Sequence, residues 1–117
     1  MYSPVELQEK LFDLCGKCYK ADKDYIIAKE QLEVLEDFKK IIFDEIVERQ
    51  PGDKTNYKER QARISHEWKE WLKNYQVIRV AEAEARVIRD KHRRDWETCR
   101  SLLSAIKKEM EAIPYQK

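Results

Sequence analysis

Apolar side chains recur at alternating steps of three and four residues along the chain, with one interruption near residue 51. The series before the interruption is Leu7, Leu11, Leu14, Cys18, Ala21, Tyr25, Ala28, Leu32, Leu35, Lys39, Ile42 and Ile46. The series after it is Tyr57, Gln61, Ile64, Trp68, Trp71, Tyr75, Ile78, Glu82, Ala85, Arg89, His92, Trp96, Cys99, Leu103, Ile106, Met110 and Ile113. Such steps are typical of helices that pair along a coiled-coil seam. The pattern predicts two long helices, and we call these two series the seam.

The interruption is Gln50-Pro51-Gly52-Asp53, which predicts a turn because proline and glycine favour turn conformations. Two helices joined by a short turn form a hairpin, so we expect an all-α fold consisting of a long antiparallel two-helix hairpin. The expected domain is a single one over residues 1–117, with a helix at about 4–49, a turn at about 50–55 and a helix at about 56–112. Ile113-Pro114 is expected to stop the second helix, because the residue before a proline disfavours helical conformation.

Local signals support these helix boundaries. The hydroxyl of Ser3 can accept a hydrogen bond from the amide of Glu6, as in a capping box, and Asn56 with Glu59 offers a second box. Gly16 lies opposite the seam, so we expect it to cost about 1 kcal/mol relative to alanine without ending the helix.

The antiparallel register follows from the position of the turn. If the turn is centred near Thr55, facing seam residues have numbers that sum to about 110. Ile46 is then expected to face Ile64, and Leu14 to face Trp96. A shift of one heptad remains open at this point.

A second set of apolar residues lies on the first helix outside the seam, and we call it the apolar stripe: Ile27, Val34, Phe38 and Ile41. The seam itself carries side chains that are bulky for a two-stranded pair, namely Trp68, Trp71 and Tyr75. A helix that is apolar on more than one face needs more than one neighbour. We therefore expect a homo-oligomer, in which these seven residues assemble several chains into a multi-helix bundle.

The composition narrows the class of protein. Charged residues make up 40% of the 117 residues, yet 24 basic and 23 acidic side chains nearly cancel. Such a mixture fits the solvated faces of long helices better than a polyanion-binding tail or a disordered acidic segment. Three cysteines within helical pattern do not indicate a disulfide scaffold.

Other classes are excluded by what the sequence lacks. No apolar run approaches the about 20 residues needed to cross a bilayer, and residues 1–4 do not resemble the start of a signal peptide. A cytoplasmic location is expected. There is no nucleophile–base pair, glycine-rich loop or group of converging carboxylates, so we expect neither an enzyme nor a cofactor nor a small-molecule substrate.

Basic residues in both helices form a candidate phosphate-binding surface, which we call the basic group: Lys17, Lys20, Arg86, Arg93 and Arg94. Clustered lysine and arginine side chains can bind the phosphates of nucleic acid. The alternative is that acidic residues three or four positions away neutralise them.

The string Cys15-Gly16-Lys17-Cys18 is the most motif-like segment. In the expected register Cys18 faces His92, so Cys15, Cys18 and His92 form an alternative candidate zinc or thiol site. The competing interpretation is that Cys18 is a small hydrophobic seam residue.

Charged residues also occur within the seam. Glu82 and Arg89 lie one heptad apart, where polar residues commonly fix register and oligomeric state, and Glu82 of one copy can meet Arg89 of another. Lys39 is expected to lie over Trp71 in a cation–π contact.

Residues 66–110 carry a resemblance to a known group of proteins. The segments Glu67-Trp68-Lys69-Glu70-Trp71-Leu72 and, from Trp96 to Met110, WETCRSLLSAIKKEM resemble small coiled-coil accessory proteins of tailed bacteriophages. That resemblance implies an accessory protein encoded among phage recombination or replication genes, in the host cytoplasm. Together with the basic group, it leads us to expect a non-enzymatic oligomeric factor whose partner is single-stranded DNA or a DNA-bound protein. The alternative function is a protein-interaction module, a scaffold or an inhibitor, that binds no nucleic acid.

Overall fold

The computed structural model describes residues 3–112, and this part of the chain consists of helices joined by short connections, with no strand. The helices are α1, Pro4–Glu48; α2, Thr55–Ile64; and α3, His66–Ala112. The all-α prediction is therefore confirmed. The stop expected at Ile113-Pro114 lies outside the described residues.

Helix α1 begins and continues as its sequence predicts. The amide of Glu6 donates to Ser3 Oγ at 3.1 Å, which satisfies one of the backbone donors left free at a helix start. Gly16 lies within the uninterrupted helix, and a Cβ atom added there would meet nothing within 4 Å.

The connection from α1 to α2 contains the predicted turn. Gly52 adopts a φ of 112°, a region that side-chain-bearing residues rarely occupy. The residue that precedes α2 is Lys54, which makes no side-chain cap hydrogen bond. The capping box expected from Asn56 and Glu59 is therefore wrong, because Asn56 already lies inside the helix.

The second helix expected over 56–112 is divided into α2 and α3 at Ser65. The hydroxyl of Ser65 donates to the carbonyl oxygen of Ala62 at 2.6 Å and accepts from the amide of Trp68 at 3.2 Å. One serine thus ends α2 and caps the start of α3, because serine bonds readily to neighbouring backbone groups.

The chain groups into two compact units, each with its own packing: unit 1, Met1–Tyr25 with Ala85–Lys117, and unit 2, Ile26–Glu84. The expectation of a single domain over residues 1–117 stays a prediction.

In unit 1, the beginning of α1 packs antiparallel against the end of α3. The buried residues are Leu7, Leu14, Cys99 and Leu103, against which Leu11, Trp96 and Ile106 pack. The expected neighbours Leu14 and Trp96 thus share one cluster. The thiol of Cys99 donates to the backbone carbonyl of Leu7 at 3.3 Å, so it occupies the seam as a small, satisfied side chain.

In unit 2, all three helices contribute to one cluster. Ile46, Ala62 and Trp68 are buried, and Ile42, Phe43, Val47, Trp71 and Leu72 pack against them. Ile64, expected to face Ile46, is instead 59% exposed. Because the break at Ser65 interrupts the heptad phase, Ala62 takes the place expected for Ile64 opposite Ile46.

In unit 2, the end of α1 and the beginning of α3 also run antiparallel. Arg49, which directly follows α1, has its Nη2 atom 2.6 Å from Glu67 Oε1 at the start of α3. Earlier in α1, Glu36 Oε1 accepts a hydrogen bond from the hydroxyl of Tyr75, which lies later in α3, at 3.2 Å. Burial and this hydrogen bond raise the pKa of Tyr75. The seam residues of α1 and α3 within residues 3–112 are buried or half-buried, apart from exposed Lys39 and Met110. Two further seam residues, Tyr57 and Ile64 of α2, are also exposed.

Candidate interaction surfaces

The apolar stripe lies on the solvent-exposed side of α1 in unit 2. Its exposed fractions are Ile27 47%, Val34 52%, Phe38 50% and Ile41 50%. Ile27 and Val34 also line a largely apolar groove together with Leu35 and Ile78. An amphipathic helix of a monomer normally buries such residues, so the stripe is an unpartnered hydrophobic surface.

The three seam aromatics expected to drive self-association form a continuous stack within unit 2. The ring centroids of Trp68 and Trp71 lie 5.1 Å apart with planes 2° from parallel. Those of Trp71 and Tyr75 lie 5.4 Å apart at 9°. Trp68 is buried by its own chain, against Ile46 and Ala62. Its bulk therefore needs no second copy.

A groove lined by cations and aromatic rings adjoins this stack. Its lining residues are Lys39, Lys40, Phe43, Arg63 and Trp68. Lys39 Nζ lies 5.2 Å from the centroid of Tyr75, so the prediction that it covers Trp71 is wrong by one helical turn. We call this region the cation–aromatic groove.

The basic group lies in unit 1 and is partly neutralised. Lys17 pairs with Asp13 at 3.2 Å, and Arg93 Nη2 pairs with Asp22 Oδ1 at 3.1 Å. The other three cations, within residues 3–112, have no carboxylate partner: Lys20, Arg86 and Arg94.

The alternative zinc residues are not assembled as a metal site. Trp96 Nε1 donates to the sulfur of Cys15 at 3.1 Å, and Cys18 is half-buried. Burial, followed by the charge of Asp22, raises the pKa of the Cys18 thiol. The Nδ1 atom of His92 is buried without a hydrogen-bond partner. Within residues 3–112, no three His, Cys, Asp or Glu side chains are arranged to hold a metal ion.

Comparisons with protein-family models, with curated proteins and with solved structures find no match to this chain. Across residues 3–112, no helix is long and apolar enough to cross a membrane. The function is therefore inferred from the side chains themselves.

The groove is the surface that the sequence pattern does not reveal. Lys40, Phe43 and Arg63 belong to no repeat, and Arg63 comes from a helix whose end depends on Ser65. The one local signal is the pair Lys39-Lys40 placed three residues before an aromatic side chain.

Proposed function

We propose that this protein is a non-enzymatic helical interaction module that self-associates into a multi-helix bundle through the apolar stripe. The observation that supports it is the half exposure of four large apolar side chains that recur at coiled-coil spacing along one helix. Removing such surface from water stabilises association by about 25 cal/mol per Å².

The spacing of the stripe fits a helical partner. Ile27, Val34, Phe38 and Ile41 follow steps of seven, four and three residues, the steps of a coiled-coil seam. Gln31 occupies the missing position of that series and lines the groove beside Val34. A single polar residue in such a seam favours one register over others. The surface thus suits another helix, and a second copy of this chain supplies one.

Light scattering after size exclusion tests this function. We expect the wild-type chain to show the mass of at least two copies at micromolar concentration. Changing Phe38→Lys with Ile41→Lys should shift the mass to that of one chain, because two charges would be buried at the contact.

The matched control changes Val5→Lys with Phe12→Lys, two exposed apolar residues of α1 that lie outside the stripe. This control adds the same charge and should leave the mass unchanged. A wild-type chain that is monomeric at high micromolar concentration with full helicity would overturn the proposal.

A second candidate function, which rests on the basic group together with the phage resemblance, is that of an accessory factor on DNA or on a DNA-bound protein in the host cytoplasm. The observation that favours it is the absence of carboxylate partners for Lys20, Arg86 and Arg94 in residues 3–112. Unpaired cations release counterions from phosphates on binding.

Reversing these three charges to glutamate tests the second candidate. We expect weaker binding to single-stranded DNA of any sequence, and binding by the wild-type chain should weaken as salt rises. Binding that ignores both the charge reversal and the salt concentration would rule out this use of the basic group.

A further inference from the structure

We propose that the cation–aromatic groove of unit 2 binds one nucleotide of a single-stranded nucleic acid, with its base against Phe43 and its phosphate among Lys39, Lys40 and Arg63. This site is separate from the basic group, and it requires neither the proposed self-association nor DNA binding by unit 1.

The groove has one sign of charge. Three of its five lining residues are cations, and none is a carboxylate. Lys39 and Lys40 have no acidic partner within residues 3–112. Arg63 meets Glu59 only at 4.0 Å, the outer limit of an ion pair, and its side chain is exposed. Three cations that line one groove, two of them without an acidic partner in the described residues, fit a phosphate group.

The groove also has an aromatic wall. Phe43 is half-buried, and its ring packs against buried Trp68 with centroids 4.9 Å apart and planes tilted by 59°. This contact holds the Phe43 ring in place, while Trp68 itself is too buried to stack on a ligand. The guanidinium of Arg63 lies 6.0 Å from the Phe43 centroid, so a flat group near that ring meets a cation as well.

A nucleotide fits this combination better than an acidic peptide does. The groove is open, with a volume of about 370 Å³, which is in the range of small-ligand sites. A planar base can use the aromatic face while the attached phosphate reaches the lysines, the arrangement common to single-strand binding surfaces. An acidic peptide would use the cations alone.

The groove and the apolar stripe can be occupied together. Phe43 follows Phe38 by five residues, which places the two side chains about 140° apart around the helix axis. Self-association through Phe38 therefore leaves the Phe43 side of α1 open.

Fluorescence polarisation of a labelled oligothymidylate tests the site in the full-length protein. We expect Lys40→Glu to weaken binding about tenfold at low salt. The control is Lys29→Glu, an exposed lysine of the same helix and unit that pairs with Glu33. It makes the same change in net charge and should alter binding less than about twofold.

A second variant tests the aromatic wall. Phe43→Leu keeps an apolar side chain but removes the ring, and we expect about fivefold weaker binding. Helicity and melting temperature, measured on the same sample, show that the variant is folded.

Competition with other ligands and comparison of the variants distinguish a free nucleotide from a nucleic-acid strand, and the groove from the basic group. Displacement of the oligonucleotide by thymidine monophosphate at equal concentration assigns the groove to free nucleotides, and displacement only at large excess assigns it to a strand. Equal weakening by Lys40→Glu and Lys29→Glu overturns the proposal, as does loss of binding only on reversal of the basic group. Displacement by polyglutamate with no effect of Phe43→Leu would mean an acidic peptide site.

Discussion

The guanidinium carbon of Arg89 lies 4.0 Å from the centroid of the Tyr25 ring, so these two seam residues of unit 1 satisfy each other. Arg89 Nε also donates to Asp90 Oδ1 at 3.1 Å, and Nη2 forms an ion pair with the same oxygen at 3.1 Å. Burial lowers the pKa of Arg89, but its hydrogen bond and ion pair with Asp90 outweigh that effect and raise the pKa. This seam cation therefore has partners within its own chain, and its pairing with Glu82 of a second copy stays a prediction.

Replacing Arg89 by alanine should lower the melting temperature by a few degrees, because the contact over Tyr25 and the packing of the arginine stem are both lost. Arg86→Ala is the matched control, since Arg86 is exposed and lies one turn away on the same helix. Circular dichroism at increasing temperature measures both. Equal melting temperatures for the two variants would contradict the role assigned to the Tyr25 contact.

Replacing each of the two glycines by alanine should change the free energy of unfolding in opposite directions. Gly16→Ala should stabilise the chain by about 1 kcal/mol, because alanine favours helix and its Cβ enters open space. Gly52→Ala should destabilise it by about 1 kcal/mol or more, because the residue has a positive φ and its Cβ would lie 3.1 Å from Tyr57 Cδ1. Urea unfolding measures both, and the same sign for the two changes would refute the assignment.

Ser65→Ala should destabilise the chain by about 1 kcal/mol, because the amide of Trp68 loses its cap. Ser104→Ala is the control, since Ser104 is exposed inside α3. Urea midpoints compare the two, and a control variant as unstable as Ser65→Ala would show that the cap contributes nothing.

The heptad pattern predicts the paired faces well, because burying one apolar side of each helix is what holds α1 and α3 together. Leu14 and Trp96 share a cluster in unit 1, as their positions in the two series indicate. The heptad pattern places Ile64 wrongly, because the hydrogen bonds of the Ser65 hydroxyl end α2 there and interrupt the heptad phase. Ser65 followed by acidic Glu67 was the available signal for a new helix start.

Of the candidate surfaces, one is predictable from the sequence and one is not. The apolar stripe is predictable because it is periodic on one helix. The cation–aromatic groove is not, since it combines Phe43 of α1 with Arg63 of α2 and Trp68 of α3. Whether these side chains meet depends on the break at Ser65 and not on spacing along any one helix.

Cys18 should make stability depend on alkaline pH. Its pKa is raised by burial and by Asp22, so folding favours the neutral thiol. The resulting stabilisation is present below the ordinary thiol pKa of about 8.5 and is lost as pH rises through the higher folded value. Urea unfolding at several pH values should show a decline in this range that Cys18→Ser reduces. The unchanged decline of such a variant would exclude Cys18 as its source.

Helix α2 has ten residues, no side-chain cap at Lys54 and Ala62 as its buried side chain. Isolated helices shorter than about 12 residues are marginal in water. The helical state of Thr55–Ile64 is therefore conditional on Ile46 and Trp68 being in place beneath it. The exchange rate of the amide hydrogens of this segment with solvent therefore reports how often the end of α1 and the start of α3 separate in unit 2.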